Sequence, residues 1–168
     1  TKEIVLSRNI LIYLNIQNSR YISNNKITFN SNRNLGRHVM KNKNKVALAA
    51  CSGMSPYGLV ARVASADTVD ETDNTISICM GATSADRDGF RQLIKKYPII
   101  AISGCDGNCT SKILKQKGVK PAKDINVLEE LEKEDLKPDD VSRLDEEGER
   151  CVSYMKKKIK KEIKKMEE

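Results

Sequence analysis

Short apolar runs alternate with longer mixed segments from Lys45 onward. A short, continuous apolar run is typical of a strand that is buried on both faces of a sheet. The runs predict strands at Lys45–Ala50, Asn74–Cys79 and Pro98–Ser103, and a less apolar one at Asp124–Leu128. Strands that alternate with helices indicate a parallel sheet with right-handed crossovers. The pattern therefore predicts an α/β fold, as a single domain with a mostly parallel sheet of Rossmann-like or flavodoxin-like type.

The segments between the runs carry helix start signals and turn signals. Ser55 is a predicted N-cap because Pro56 follows it at the first helical position. Gly81–Thr83 is predicted to turn the chain, and Ser84 or Asp86 to cap the helix that follows. Each predicted helix thus lies between two predicted strands, as the α/β interpretation requires.

The end of the chain changes from acidic to basic. Residues 129–150 are rich in acid, whereas residues 151–168 are rich in lysine. Five apolar residues recur at helical spacing in the second of these segments, and they are Val152, Met155, Ile159, Ile163 and Met166. The spacing predicts a lysine-rich C-terminal helix that packs one stripe on the domain. A helix that binds a membrane surface or a partner is the alternative.

Residues 1–39 differ from the rest in composition. They hold eight Asn, six Ile and a single acid, Glu3, without a clear period. We interpret them as a disordered extension upstream of a natural start at Met40, with an organellar transit peptide as the alternative. The predicted organisation is an extension over 1–39, an α/β metal-binding domain over 40–150 and the C-terminal helix over 151–168.

The net charge of +7 suggests a nucleic-acid partner, but its distribution argues against one. Residues 1–39 contribute +5, so the rest of the chain carries only +2. Aromatic residues are 4% of the chain and do not interleave with a basic face that could stack bases. No apolar stretch approaches the length of roughly 18 residues that a membrane span needs. We expect a soluble protein without a membrane span.

Three of the five cysteines follow predicted strands. Cys51, Cys79 and Cys105 close the first three apolar runs, at intervals of 28 and 26 residues, and Cys109 comes four residues later. The carboxyl ends of neighbouring parallel strands meet at one edge of a sheet, where open α/β sheets bind ligands. Four thiolates are a common set for tetrahedral zinc. The sequence predicts a zinc site formed by Cys51, Cys79, Cys105 and Cys109, and leaves Cys151 as a structural residue.

Other chemistries use the same thiols. An iron–sulfur cluster takes four cysteine ligands as well. Cys105 and Cys109 could instead cycle between dithiol and disulfide or carry a persulfide, as in a thiol redox or sulfur-transfer enzyme, because thiols at helix amino ends are reactive. Spaced cysteines without a secretory signal favour a reducing compartment, so the predicted location is cytoplasmic.

The segment from Ser103 to Cys109 resembles the signature of the DGC-domain family of zinc-binding proteins. That signature is Asp-Gly-Cys, three further residues and Cys, placed after an apolar strand and before a helix; here Ser103-Gly104-Cys105 and Cys109 have this layout. The resemblance extends over Lys45–Gly118 and implies four cysteine ligands, which correspond to Cys51, Cys79, Cys105 and Cys109. It implies no established activity.

One position departs from the signature. Ser103 stands where the family has the Asp that gives it its name. If that Asp orients a ligand through a hydrogen bond, Ser103 or the nearby Asp106 must replace it. The only histidine, His38, lies in the first segment and is not expected to be a ligand.

Overall fold

The computed structural model describes residues 45–53, 55–141 and 144–167, so the predicted extension over residues 1–39 lies outside the described residues. The strands are β1 (Val46–Ala50), β2 (Thr75–Ile78), β3 (Ile99–Ser103) and β4 (Lys123–Asn126). The helices are α1 (Pro56–Glu71), α2 (Met80–Ser84), α3 (Asp88–Lys96), α4 (Cys109–Gln116), α5 (Val127–Glu132) and α6 (Glu146–Glu167).

The four strands form one parallel sheet in the order β2-β1-β3-β4. This confirms the predicted α/β fold, and the order is that of the first four strands of a flavodoxin-like sheet. Ala50 of β1 pairs with Ile102 of β3, and Ser103 of β3 pairs with Asn126 of β4. The chain places β2 on one side of β1, and then β3 and β4 on the other side, so the direction in which strands are added reverses between β1 and β3. In open α/β sheets, ligands bind at such a point, outside the carboxyl ends of the two strands.

Helices cover both faces of the sheet. Ile100 and Ile102 of β3 pack in a core with α1, α5 and α6, whereas Ile99 and Ala101 pack in a second core with α2, α3 and α4. Successive side chains of a strand point to opposite faces, so a strand that feeds two cores must be apolar at nearly every position. All five residues of β3 are buried, which explains the continuous apolar run in the sequence.

The helix starts confirm one prediction and correct two. Ser55 caps α1, and its hydroxyl accepts a hydrogen bond of 3.0 Å from the amide of Gly58. The predicted turn at Gly81–Thr83 is wrong, because these residues lie inside α2. The predicted caps of α3 are also wrong, because the residue before this helix is Arg87, whose side chain makes no capping hydrogen bond.

The fourth strand is shorter than predicted. It ends at Asn126, and α5 begins at Val127, because the Asn126 side chain accepts a capping hydrogen bond from the amide of Glu129. An asparagine at the boundary favours the helix start over continuation of the strand. Val127, which the apolar pattern assigned to the strand, lies instead in the first turn of α5 and is buried in the core.

The C-terminal helix is part of the core. Its predicted stripe is confirmed, since Val152, Met155, Ile159 and Ile163 are buried in the core and Met166 is partly buried against it. At the rim of this contact, the ammonium group of Lys156 lies 3.2 Å from Asp67 and 2.5 Å from Glu71 on α1. Across the described ranges, no helix is both long and apolar enough to span a bilayer.

Candidate functional site

The predicted thiols lie at the carboxyl edge of the sheet. Cys51 directly follows β1 and Cys79 directly follows β2, while Cys105 comes two residues after β3. Cys109 is the first residue of α4. The backbone amide of Cys51 still donates to the carbonyl of Ile102 at 2.8 Å, so the loop after β1 begins in register with β3. Since β1 lies between β2 and β3, the three loops are neighbours along one edge.

Two glycines hold the loops after β1 and β3 close together. A methyl carbon placed on Gly104 would lie only 2.7 Å from both the Cα and the amide nitrogen of Gly58, which is in the first turn of α1. A methyl carbon on Gly58 would in turn lie 3.0 Å from the carbonyl oxygen of Gly53. Only residues without a side chain allow these backbones to approach so closely. The contact sets the spacing between the loop of Cys51 and the loop of Cys105.

Cys105 and Cys109 flank a third glycine. A methyl carbon on Gly107 would lie 3.5 Å from the sulfur of Cys105 and 3.6 Å from that of Cys109, so the two sulfurs are separated by no more than these distances added together. The turn is closed by a 3.2 Å hydrogen bond from the Asn108 amide to the carbonyl of Cys105. Asn108 has the left-handed conformation, with φ 49°, which asparagine accepts more readily than most residues.

The other two sulfurs accept hydrogen bonds from backbone amides. The amide of Gly53 donates to the sulfur of Cys51 at 3.3 Å, and that of Ala82 donates to the sulfur of Cys79 at 3.5 Å. Hydrogen bonds to sulfur are among the features that tune metal–thiolate centres. The sulfurs of Cys51 and Cys79 therefore each accept a backbone hydrogen bond before any metal binds.

The four thiols are accessible to different degrees. Cys79 and Cys109 are exposed, and Cys51 and Cys105 are half-buried. Within the described ranges, no group of three or more Cys, His, Asp or Glu side chains is gathered closely enough to hold a metal ion. The structure brings Cys105 and Cys109 together around Gly107, and it brings the loops of Cys51 and Cys79 to the same edge. His38 lies outside the described residues.

Cys151 differs from the other four cysteines, because it lies within a helix and is fully buried. It is in α6 with 0% of its surface exposed, packed in the core beside Val152 and Met155. Burial raises the pKa of its thiol from 9.0 to about 11, and the negative charges of Glu147 and Asp145 act in the same direction. The thiol form is therefore favoured at neutral pH, which fits a structural residue.

We expect Cys151 to resist alkylation in the native protein. At pH 7.5 and in the presence of a metal chelator, a small maleimide should modify the exposed Cys79 and Cys109 within minutes, whereas Cys151 should react only after denaturation. Burial blocks access, and the raised pKa leaves little reactive thiolate. Mass spectrometry of peptides labelled before and after denaturation measures this difference. Equal labelling of Cys151 and Cys79 in the folded protein would contradict the expected burial.

Of two polar residues near the thiols, Ser103 was singled out by its departure from the family signature, whereas Asn126 was not. Asn126 donates from its side-chain amide to the carbonyl of Cys105 at 3.4 Å and to the carboxylate of Glu129 at 3.1 Å. Its position at a strand end before a helix was the signal that could have identified it. Ser103 is buried at the end of β3, and its hydroxyl has no hydrogen-bond partner.

The strand order defines an α/β protein of the parallel-sheet class, with cysteines in the loops after three of its strands, near its topological switch point. The family model of the DGC domain matches residues 47–155, which is more than half of the chain. The chain belongs to the DGC-domain family, which confirms the resemblance and extends it from Gly118 into α6. No curated protein and no solved structure gives a significant match.

Proposed function

We propose that the protein binds one zinc ion through Cys51, Cys79, Cys105 and Cys109. The observation that carries the proposal is the convergence of three strand-end loops on one edge, with Cys105 and Cys109 on either side of Gly107. Four sulfur donors suit zinc, whose structural sites are commonly built from four cysteines. Displacements of these loops would be needed to bring the four sulfurs onto one ion.

The role proposed for the zinc is structural or regulatory. Bound zinc would supply a fixed cross-link between the ends of β1, β2 and β3, and four thiolates leave no open position for a substrate. The backbone amides of Gly53 and Ala82 would continue to support the sulfurs of Cys51 and Cys79. A reducing cytoplasmic location is part of this proposal, because it would keep the thiols available to the metal.

Elemental analysis tests the proposal directly. Protein purified under reducing conditions without added metal is expected to contain about one zinc per chain, as typical structural sites bind tightly. The same sample should be colourless, because zinc has a filled d shell. Metal-free protein that also fails to take up added zinc would refute zinc binding. A brown sample with visible absorption would replace zinc by an iron–sulfur cluster on the same ligands.

A second candidate is a thiol redox or sulfur-transfer activity of Cys105 and Cys109. It is favoured because these two sulfurs lie on either side of Gly107, in an arrangement that does not depend on Cys51 or Cys79. A redox activity requires a Cys105–Cys109 disulfide that forms and reduces reversibly, whereas sulfur transfer requires a persulfide on one of the two cysteines. Metal-free protein in which mass spectrometry finds this disulfide would favour the second candidate over zinc binding.

A further inference from the structure

The hydroxyl of Ser103 is an unsatisfied polar group inside the fold. Ser103 is 2% exposed, and in the part of the chain that the structure describes its Oγ is the one buried side-chain nitrogen or oxygen atom without a hydrogen-bond partner. A buried hydroxyl that lacks a partner destabilises the folded state. Such groups are rare in native proteins, and a functional role is one reason for their presence.

Ser103 lies beside the thiols. It ends β3 and is separated from Cys105 by Gly104 alone. Ser103 is two and four residues beyond Ala101 and Ile99, so it belongs to the same face of the sheet, the face covered by α2 and α4. Cys79 caps α2 and Cys109 begins α4, so the helices on this face carry two of the four proposed ligands at their amino ends.

The neighbouring polar groups already have partners. Thr110 donates from its hydroxyl to the carbonyl of Ile102 at 3.4 Å, and the Ser111 hydroxyl donates to the carboxylate of Asp124. Asn126, which pairs with Ser103 across β3 and β4, uses its side chain for Cys105 and Glu129. Among these four residues, Ser103 is therefore the one whose hydroxyl has no hydrogen-bond partner.

We propose that Ser103 is a positioning residue of the metal site, whose hydroxyl donates a hydrogen bond to a metal-bound sulfur on its own face of the sheet, that of Cys79 or Cys109. The inference rests on the proposed zinc site. A metal-bound sulfur carries negative charge and is a stronger hydrogen-bond acceptor than a neutral thiol, so binding of the metal creates the missing acceptor. Hydrogen bonds of this kind orient metal ligands and tune the metal.

The Ser103→Ala variant should show effects of opposite sign with and without metal. Without metal, its melting temperature should rise by about 2–4 °C, because the substitution removes an unpartnered buried hydroxyl. Its zinc affinity, measured by competition with a chelator, should fall about 10- to 100-fold, as is usual when a hydrogen bond to a ligand is lost. In the cobalt-substituted protein, the sulfur-to-cobalt absorption band should shift to longer wavelength, because a sulfur without its hydrogen bond donates electrons more readily.

Ser65→Ala is the matched control. Ser65 is also 2% exposed, but its hydroxyl donates to the carbonyl of Ala61 in the same helix at 2.8 Å. This variant should keep the zinc affinity and the cobalt spectrum of the unmodified protein. The comparison separates the loss of any buried hydroxyl from the loss of the one beside the thiols.

The outcomes distinguish the inference from the function on which it rests. If the unmodified protein binds zinc and Ser103→Ala binds it equally well with an unshifted cobalt band, the inference is overturned and zinc binding stands. A metal-free Ser103→Ala variant that melts below the unmodified protein would also overturn the inference, because the hydroxyl would then have a partner within the fold. If the unmodified protein binds neither zinc nor cobalt, the proposed function and the inference fail together.

Discussion

Gly104→Ala is expected to destabilise the domain by about 3 kcal/mol and to reduce its metal content, because the new methyl group would collide with α1. The added carbon would lie 2.7 Å from two backbone atoms of Gly58 and 3.1 Å from the carbonyl carbon of Tyr57. Backbone atoms in the first turn of a helix cannot move aside as the end of a flexible side chain can. Relief of the collision must therefore separate the loop of Cys105 from the loop of Cys51.

Urea denaturation followed by circular dichroism measures the loss of stability, and Gly89→Ala provides the control. Gly89 lies inside α3, and a methyl carbon there would meet no atom within 4 Å. Alanine is favoured over glycine in helices, so this variant should be more stable by about 0.5–1 kcal/mol. Equal stability of the two variants would show that β3 and α1 are not in close contact at Gly104.

Cys105→Ser is expected to abolish stoichiometric zinc binding, whereas Cys151→Ser should retain it. Serine at position 105 replaces a thiolate ligand by a neutral hydroxyl, which is a poor ligand for zinc at neutral pH. Cys151 is enclosed in the core that α6 shares with the sheet, and it does not lie in a loop after a strand as the proposed ligands Cys51, Cys79 and Cys105 do. Elemental analysis of the two variants, purified in parallel under reducing conditions, gives the zinc content of each.

Circular dichroism should accompany these measurements, since Cys151→Ser buries a hydroxyl in the core. A folded Cys105→Ser variant that still contains one zinc per chain would show that the ligand set is wrong. Loss of zinc from a folded Cys151→Ser variant would have the same consequence. The pair of variants therefore tests the choice of cysteines in the proposed zinc site.

The first three strands were predicted to within one residue at each end. β3 illustrates the reason, because Ile99 and Ala101 pack in one core while Ile100 and Ile102 pack in the other, which makes the run apolar throughout. The fourth strand was predicted to continue too far, because its end depends on a side-chain cap at Asn126 rather than on apolar pattern. The short helix α2 was mistaken for a turn, since the Cys79 sulfur serves as its cap in place of a usual capping residue.

The amino-acid sequence by itself determined the strands, the membership in an α/β class and the position of Cys51, Cys79 and Cys105 at strand ends. These features depend on the alternation of apolar and polar residues along short segments, which is visible locally. Only the tertiary structure decided the order β2-β1-β3-β4, the contact of Gly104 with Gly58 and the isolation of the Ser103 hydroxyl. Each of these depends on segments that are distant in sequence and meet only when the sheet is assembled. A glycine that lets another backbone approach therefore leaves no signal in its own neighbourhood of the chain. Ser103 is marked in the sequence by its departure from the family signature, but the lack of a partner for its hydroxyl is visible only in the fold.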